Sequence, residues 1–528
     1  MRSSLLVPLA VVLLQLSARA ETQGVVTNTP SETTPAILTP AEAKEPRING
    51  PKVFGVCPGS PLLYSIPATG ERPMTFAVKN LPAGLSLDSS TGRITGVLPK
   101  AGTYRVTLVA SNQAGQASKD FRIVVGDTIC LTPAMGWNSY NTYDVSVNQK
   151  QILEAAHAME ESGLARHGWS VITCDDGWQG ARGGKWNAIQ PYEGFPDIGG
   201  MVAEIHSLGL KAGIYSTPWI TSYGRRIGGS SDNQDGSWSP EYAKKNRIAT
   251  SMKAPFIVGK YHFAEQDARQ FADWGFDYLK YDWDPIQEPD VKEMAQALRK
   301  SGRDIIFSLS NNSKGTLLAR IATVSPWANS WRTTGDVHDN WKNVANSAFG
   351  ENEWAAYCRP GHYNDPDMLV VGNVGWGHPH PSNLTPDEQY TQISMWSLLS
   401  APLILGCDLR KLDPFTLSLL TNDEVLDIDQ DELCKQAVCV LKTGDLEAYA
   451  KPLADGSVVV GFFNRGETPA PMKISWADLK ISGPQTLRNV WSQKDLGVFD
   501  GSFEIPPIGR HGVVLVKFTP APKAPKGN

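Results

Sequence analysis

Residues 130–435 of this chain alternate between short apolar runs and stretches of helical period, and few folds accept such a pattern. The apolar runs end near Gly136, Thr173, Tyr215, Tyr281, Leu309, Trp331, Tyr363 and Leu405. The helices between them are marked by caps and stripes. One is expected from Ser146, with Gln149 completing a capping box and Ile152, Ala155, Ala156 and Met159 forming the apolar stripe. Another spans about Ile198 to Leu208 and stops at Gly209. A third carries Val291, Met294, Ala295 and Leu298 on one face and ends at Gly302. A fourth opens with Thr385 as cap, Pro386 at the first helical position and Glu388 at the third. Eight strands alternating with helices predict an α/β fold, a (β/α)8 TIM barrel. The alternative is a doubly wound open sheet. It normally shows a Gly-rich phosphate loop after its first strand, and this chain has none there.

At 528 residues the chain is too long for one domain. Residues 1–20 read as a signal peptide: Arg2 is the positive start, Leu5 to Leu16 the apolar stretch, and Ala18-Arg19-Ala20 the small-residue cleavage site. The expected location is therefore exported, periplasmic or extracellular. No later apolar run is long enough for membrane insertion. Residues 21–45, rich in Thr, Pro, Glu and Ala, read as a flexible linker. In residues 46–127, alternation at Tyr104, Val106, Leu108 and Ala110 and again over Phe121 to Val125, between turn clusters, predicts a small β-sandwich. This segment resembles the immunoglobulin-like domains of exported bacterial proteins. Residues 436–518 lose the helical period and read as a C-terminal antiparallel β-sandwich, and the Pro/Lys-rich residues 519–528 as a disordered tail. Seven cysteines match no zinc spacing, and Cys434 with Cys439 is the candidate disulfide. A net charge of −5 gives no basic footprint, so nucleic acid is not an expected partner. The sequence sets no oligomeric state.

In a TIM barrel, chemistry collects where the strands run out. The run Tyr278-Leu279-Lys280-Tyr281-Asp282-Trp283-Asp284 reads as a buried strand ending in charge. Residues two apart share a face, so Lys280 and Asp282 project together and Tyr281 points away. A carboxylate beside an ammonium stays ionised and can act as a nucleophile; a structural salt bridge is the plainer alternative. Other strand ends carry Trp137; Asp175, Asp176 and Trp178; Tyr215; Arg332 and Asp336; and Asn364, Asp365 and Asp367. Each alone is also a loop carboxylate, a cap or a turn starter. Together they suit a pocket for a polyhydroxylated ring. Carboxylates accept from sugar hydroxyls, the cations donate, and Trp covers the apolar face. His378-Pro379-His380 reads as a turn, so neither a metal nor another cofactor is expected.

The stretches Ala134-Met135-Gly136-Trp137-Asn138, Cys174-Asp175-Asp176-Gly177-Trp178, Lys211-Ala212-Gly213-Ile214-Tyr215, Leu279-Lys280-Tyr281-Asp282 and Asn364-Asp365-Pro366-Asp367-Met368-Leu369 resemble glycoside hydrolase family 27. This is the α-galactosidase and α-N-acetylgalactosaminidase family. The resemblance covers about residues 130–435 in order and implies a barrel followed by a β-sandwich. It also implies that Asp282 is the nucleophile and Asp336, in Arg332-Thr333-Thr334-Gly335-Asp336, the general acid/base. Arg332 then binds the sugar 2-position, Asp175 and Asp176 grip the 6- and 4-hydroxyls, and Lys280 donates to a hydroxyl. Trp137 and Tyr215 wall the pocket, and Asp365 and Asp367 support it. Several relatives have a Cys at the position of Asp284, bridged to the loop after the third strand. Here no Cys lies between Thr217 and Lys260, so that loop, 217–262, is free to take its own shape. Many α-galactosidases have a Glu where this chain has Ser310, which with the small Ser313 predicts a roomier 2-position.

The expected activity is a secreted, retaining exo-α-galactosidase acting on terminal α-D-galactose. Asp336 is expected to titrate above an ordinary Asp because Asp282 is its neighbour. The rivals are an α-N-acetylgalactosaminidase, a β-L-arabinopyranosidase and a catalytically inactive carbohydrate-binding protein. Asp175 at the 6-hydroxyl position speaks against the second, and the presence of both carboxylates against the third.

Overall fold

Parallel strands need long crossovers, and the helical stretches of the sequence supply them. The computed structural model describes residues 35–237 and 256–522. Its barrel strands are β1 (Met135–Asn138), β2 (Val171–Cys174), β3 (Lys211–Ser216), β4 (Tyr278–Asp282), β5 (Ile306–Ser310), β6 (Ser330–Arg332), β7 (Tyr363–Asp365) and β8 (Leu403–Leu405). They pair in parallel in the order 7-6-5-4-3-2-1-8. The segment after β7 closes the ring against β8. Leu369 N donates to Ile404 O at 2.8 Å, and Leu369 O accepts from Gly406 N at 3.1 Å. The expected strands are all present, and the open-sheet alternative falls.

The helices follow their caps. Thr385 and Glu388 form the expected capping box of Pro386–Leu399, and Gly275, at φ +90°, ends Ala264–Trp274 before β4. The helix expected from Ser146 instead spans Gln149–Glu161, with Asn148 and Gln151 as its box. Both Ser146-x-x-Gln149 and Asn148-x-x-Gln151 fit the pattern. Ser146 loses because its hydroxyl donates to Tyr143 O at 2.5 Å.

The N-terminal domain faces a four-stranded sheet with a three-stranded one, as expected of an immunoglobulin-like sandwich, around its own core of Val56, Leu108, Phe121 and Ile123. It docks beneath the barrel. Asp304, just before β5, accepts from Cys57 N at 2.8 Å and Ser60 Oγ at 2.9 Å, and Ser65 Oγ donates to Gly209 O, before β3, at 2.8 Å. The C-terminal domain pairs six strands in one sheet and two in another.

Three expectations need correction. The described part of the 21–45 linker is tied down. Leu38 N donates to Tyr390 Oη at 3.0 Å, and Thr39 Oγ1 donates to Ser418 O at 2.7 Å. Glu42 and Asp423 hold His167 from its two ring nitrogens at 3.1 and 2.7 Å. The tail starts later than 519, because the last strand is Val513–Pro520 and Ala521 N donates to Pro484 O at 2.9 Å. The cysteines are free. Cys434 turns at φ +47° and gives its thiol to Leu131 O at 3.2 Å, while Cys439 is fixed in a strand opposite Tyr449. The expected signal peptide and residues 523–528 lie outside the described residues. Among the described residues, no helix is long and apolar enough to cross a membrane.

Candidate active site

Strand ends at the upper rim surround a cavity of about 140 Å3. From the end of β2 comes Asp175, whose Oδ2 accepts from Lys280 Nζ at 2.7 Å and Asn138 Nδ2 at 2.5 Å. Its Oδ1 accepts from Asp176 N at 2.7 Å. Asp176 Oδ2 accepts from Gly224 N at 2.6 Å, and its Oδ1 is buried without a partner. Burial pushes the Asp176 carboxyl up to about 6. From β4, Lys280 and Asp282 both reach the cavity, whereas Tyr281 turns into the core against Trp283 and Phe307.

Asp282 is buried, and its Oδ1 also lacks a partner. So do Tyr215 Oη and Asn141 Oδ1, which line the same cavity. Each buried polar atom left unpaired costs about 1–3 kcal/mol, so a ligand rich in hydroxyls is favoured here.

Arg332, from β6, organises the other wall. Its Nη1 lies 2.6 Å from Asp367 Oδ1 and 3.3 Å from Ser310 Oγ. Its Nη2 donates to Gly335 O at 2.6 Å and Asp336 Oδ1 at 3.1 Å. Asp367 Oδ2 accepts from Val337 N at 2.7 Å. Asp367 thus clamps both the guanidinium and the loop that carries Asp336. Asp336 itself faces the opening, with its side chain 60% exposed.

These contacts split the two carboxyls in an unexpected sense. Burial, with the Asp336 charge adding to it, pushes Asp282 up to about 7 against the pull of Lys280. For Asp336 the partial burial acts upward, but the Arg332 guanidinium, and then Lys280, hold it below the usual carboxylate range. The expectation that Asp336 titrates high in the free site is therefore corrected. Arg332, bonded directly to Asp336, outweighs the burial that pushes its carboxyl up.

Residues 247–431 match the model described as alpha galactosidase A, and residues 443–518 match the alpha galactosidase C-terminal beta sandwich domain. Residues 45–126 match an Ig domain model. Alpha-galactosidase 2 of Arabidopsis thaliana is 36% identical over 382 residues, 70% of this chain and 85% of that one. The chain belongs to the α-galactosidase family. The solved structure of alpha-galactosidase I from Mortierella vinacea is 30% identical, covers 74% of this chain and 98% of its own, and superposes with a TM-score of 0.62. A Bacteroides fragilis structure, 29% identical with a TM-score of 0.80, covers 92% of this chain and 100% of its own. That coverage is too large for the barrel and C-terminal sheets alone, so the N-terminal domain is shared as well.

Against the family pattern, the structure brings Asp175, Asp176, Tyr215, Lys280, Asp282, Arg332, Asp336 and Asp367 onto one cavity. Other expected residues are not on its surface. Trp137 is buried below, its indole donating to Cys407 O at 2.7 Å. Ser310 lies beneath Arg332, and Ser313 donates to Asp284 Oδ2 at 2.6 Å, so neither opens space in the cavity; Asn311 lines it instead. Asp365 Oδ1 accepts from Asp367 N at 2.8 Å, and burial pushes its carboxyl up to about 6.

Sequence reasoning also missed lining residues. Tyr140, Asn141 and Met368 adjoin or lie within quoted motifs, which was a usable signal; Tyr223 and Trp376 sit in loops with none. With no Cys between Thr217 and Lys260 to bridge it, the third-strand loop is pinned by other contacts. Gly224 N bonds Asp176, a Cβ on Gly224 would stand 2.8 Å from Asp176 Oδ2, and Tyr223 packs on Trp219 and Phe256. Asp284 meanwhile accepts from Ser313 and from Lys314 N at 3.0 Å, turning toward the loop after β5.

Proposed function

We propose that this member of the family is an exported, retaining exo-α-galactosidase that removes terminal α-D-galactose from oligosaccharides or glycans. The observation that carries the reading is Asp282, a buried carboxyl with an unpartnered oxygen in the same cavity as Asp336 at its mouth. A cavity of about 140 Å3 suits one terminal sugar. Asp176, Asn141 and Tyr215 offer unpartnered atoms to its hydroxyls, and Lys280 and Arg332 are donors.

In the free site burial favours the proton on Asp282, while the Arg332 guanidinium favours the ionised form of Asp336. Catalysis needs it on Asp336. A 2-hydroxyl seated against Arg332 draws the guanidinium off Asp336 and weakens what holds that carboxyl low. Asp282, beside Lys280, then attacks the anomeric carbon while Asp336 protonates the leaving oxygen. Water hydrolyses the glycosyl ester with Asp336 as base. Asn311 and the Ser310–Arg332 contact leave the 2-position closer to a plain hydroxyl than to an acetamido group.

Proton NMR of the first-formed product tests the mechanism. α-Galactose is expected, and β-galactose overturns the double displacement. kcat/KM for the galactoside and the N-acetylgalactosaminide, measured side by side, tests the substrate: a large preference for the acetamido sugar overturns the choice. Export is tested by the N-terminus of the protein recovered outside the cytoplasm, expected after Ala20.

A further inference from the structure

A second cavity, of about 160 Å3, lies at the floor of the barrel, where the N-terminal sandwich docks. Met135, Val171, Lys211 and Ile306, which open β1, β2, β3 and β5, line its barrel side. Val53, Phe54, Val56 and Tyr64 line its sandwich side. It shares no lining residue with the active cavity. Protein interiors are close-packed, so a space of this size between two docked domains is unusual. Apolar cavities of about 150 Å3 take up a benzene-sized guest.

Two donors set its chemistry. The Tyr64 ring is fixed between Phe54 and Phe121, with centroids 5.4 and 4.7 Å away. Its Oη is nevertheless buried without a partner. Burial raises the phenol's pKa, so the hydroxyl keeps its proton and can donate it. Lys211 Nζ stands 4.7 Å from the centre of the Phe54 ring. Among the described residues, that ammonium takes part in no hydrogen bond or ion pair. The two carboxylates of the lining are already engaged. Asp277 accepts from His206 Nε2 at 2.8 Å, Ala212 N at 2.9 Å and Arg303 Nη2 at 2.6 Å. Asp304 is held by Cys57 N and Ser60 Oγ. An apolar space with one free hydroxyl and one free ammonium calls for an anion with an apolar body.

We propose that this interdomain cavity binds a small monocarboxylate whose apolar body is about the size of one aromatic ring. Lys211 and Tyr64 hold the carboxylate, and Phe54, Val56 and Met135 surround the body. Such a ligand touches both domains, so it fastens the sandwich to the barrel floor and stabilises the folded chain by mass action. The site goes beyond the α-galactosidase reading and does not depend on it.

The test is calorimetric titration of the full chain with benzoate, benzyl alcohol and acetate. Benzoate should bind one per chain and raise Tm with its concentration. Benzyl alcohol, with the ring but no charge, should bind about tenfold more weakly. Acetate, with the charge but no body, should not bind. Lys211→Met keeps an apolar stem over Phe54. It should weaken benzoate about 10- to 100-fold and leave benzyl alcohol as it was. Tyr64→Phe should weaken benzoate about tenfold, so the proposal stays testable if the Lys211 variant does not fold. Absence of benzoate binding overturns the site. Benzyl alcohol binding as well as benzoate overturns it too, because the space is then an apolar void that takes any ring. Benzoate affinity indifferent to both substitutions, or displaced by free galactose, places the ligand elsewhere and also overturns it.

Discussion

Asp267 and Asp282 are both buried aspartates beside a cation, and they serve opposite ends. Asp267, on the helix before β4, receives Arg182 Nη1 and Nη2 at 2.7 and 2.8 Å and Ile189 N at 3.0 Å. The Phe263 ring covers that guanidinium at 4.2 Å. Both oxygens of Asp267 are taken, so the charge is matched without any ligand. Asp282 has an oxygen with no partner, and burial drives its carboxyl toward the neutral form. A saturated buried carboxylate holds a fold together. An unsaturated one, at a cavity, stores an unfavourable interaction that a substrate relieves.

The sharpest way to break this contrast is to neutralise each residue in turn. Asp282→Asn should lower kcat/KM at least ~10³-fold without lowering Tm. Its effect on stability has a definite sign. The folded pKa of about 7 lies above the unfolded value, so ionising Asp282 costs stability as pH rises through that window. The variant should therefore gain in Tm relative to wild type at pH 8 and gain little at pH 4. Asp267→Asn leaves Arg182 buried and unpaired, and should cost about 3–5 kcal/mol in denaturant unfolding while sparing turnover per folded molecule. A large activity loss at Asp267, or a large stability loss at Asp282, would erase the distinction.

Asp367 lies between the two cases, because it is fully engaged and yet faces the cavity. Asp367→Asn weakens the hold on Arg332 and on Val337 N together. A loss of about 10- to 100-fold in kcat/KM is expected, with KM raised and kcat lowered, since binding and the acid's position both depend on the clamp. A change in Tm alone, with normal kinetics, would class Asp367 with Asp267. The pH profile sharpens the contrast further. kcat/KM reports the free enzyme, so its basic limb should fall near pH 7, where the carboxyl pair loses its one proton, and its acid limb below the ordinary carboxylate range. A basic limb near pH 5 would mean that Asp282 is not desolvated as the structure has it.

The barrel was legible because strand and helix differ in period and the strands fall on short, mainly apolar runs. The charged residues at the strand ends were legible for the same reason: once the strand is placed, alternation says which side chains share a face. Lys280 and Asp282 follow that rule. Depth was not legible. Trp137, Ser310 and Asp365 stand at strand ends but lie a layer below the cavity, where partners on other strands or loops claim them. Nor was the sense of the pKa split, which depends on Arg332 reaching Asp336 rather than on chain neighbours. Tyr223 and Trp376 were missed because their loops are shaped by tertiary contacts, a Gly224–Asp176 bond in one and a His338 ring in the other.

The smallest expected effect lies outside the cavity, at His167. Like Asp267 it is buried and saturated, with Asp423 on Nδ1 at 2.7 Å and Glu42 on Nε2 at 3.1 Å. Burial works against its charge, yet the hydrogen bonds to Asp423 and Glu42 prevail and push it up to about 9. The unfolded value is about 6.5. A raised folded pKa gives stability that is fully present below pH ~6.5 and is lost as pH rises through about 9. Glu42 is 53% exposed, so solvent screens its share, and about 1–2 kcal/mol is a reasonable size for the whole effect. His167→Gln should therefore lie below wild type in Tm at pH 6 and converge with it above pH 9. Its kcat/KM on an α-galactoside at pH 6 should be unchanged. A Tm gap independent of pH would mean that His167 is held as a neutral ring. A loss of activity would mean that the N-terminal strap, which Glu42 anchors beneath the barrel, is coupled to the rim above.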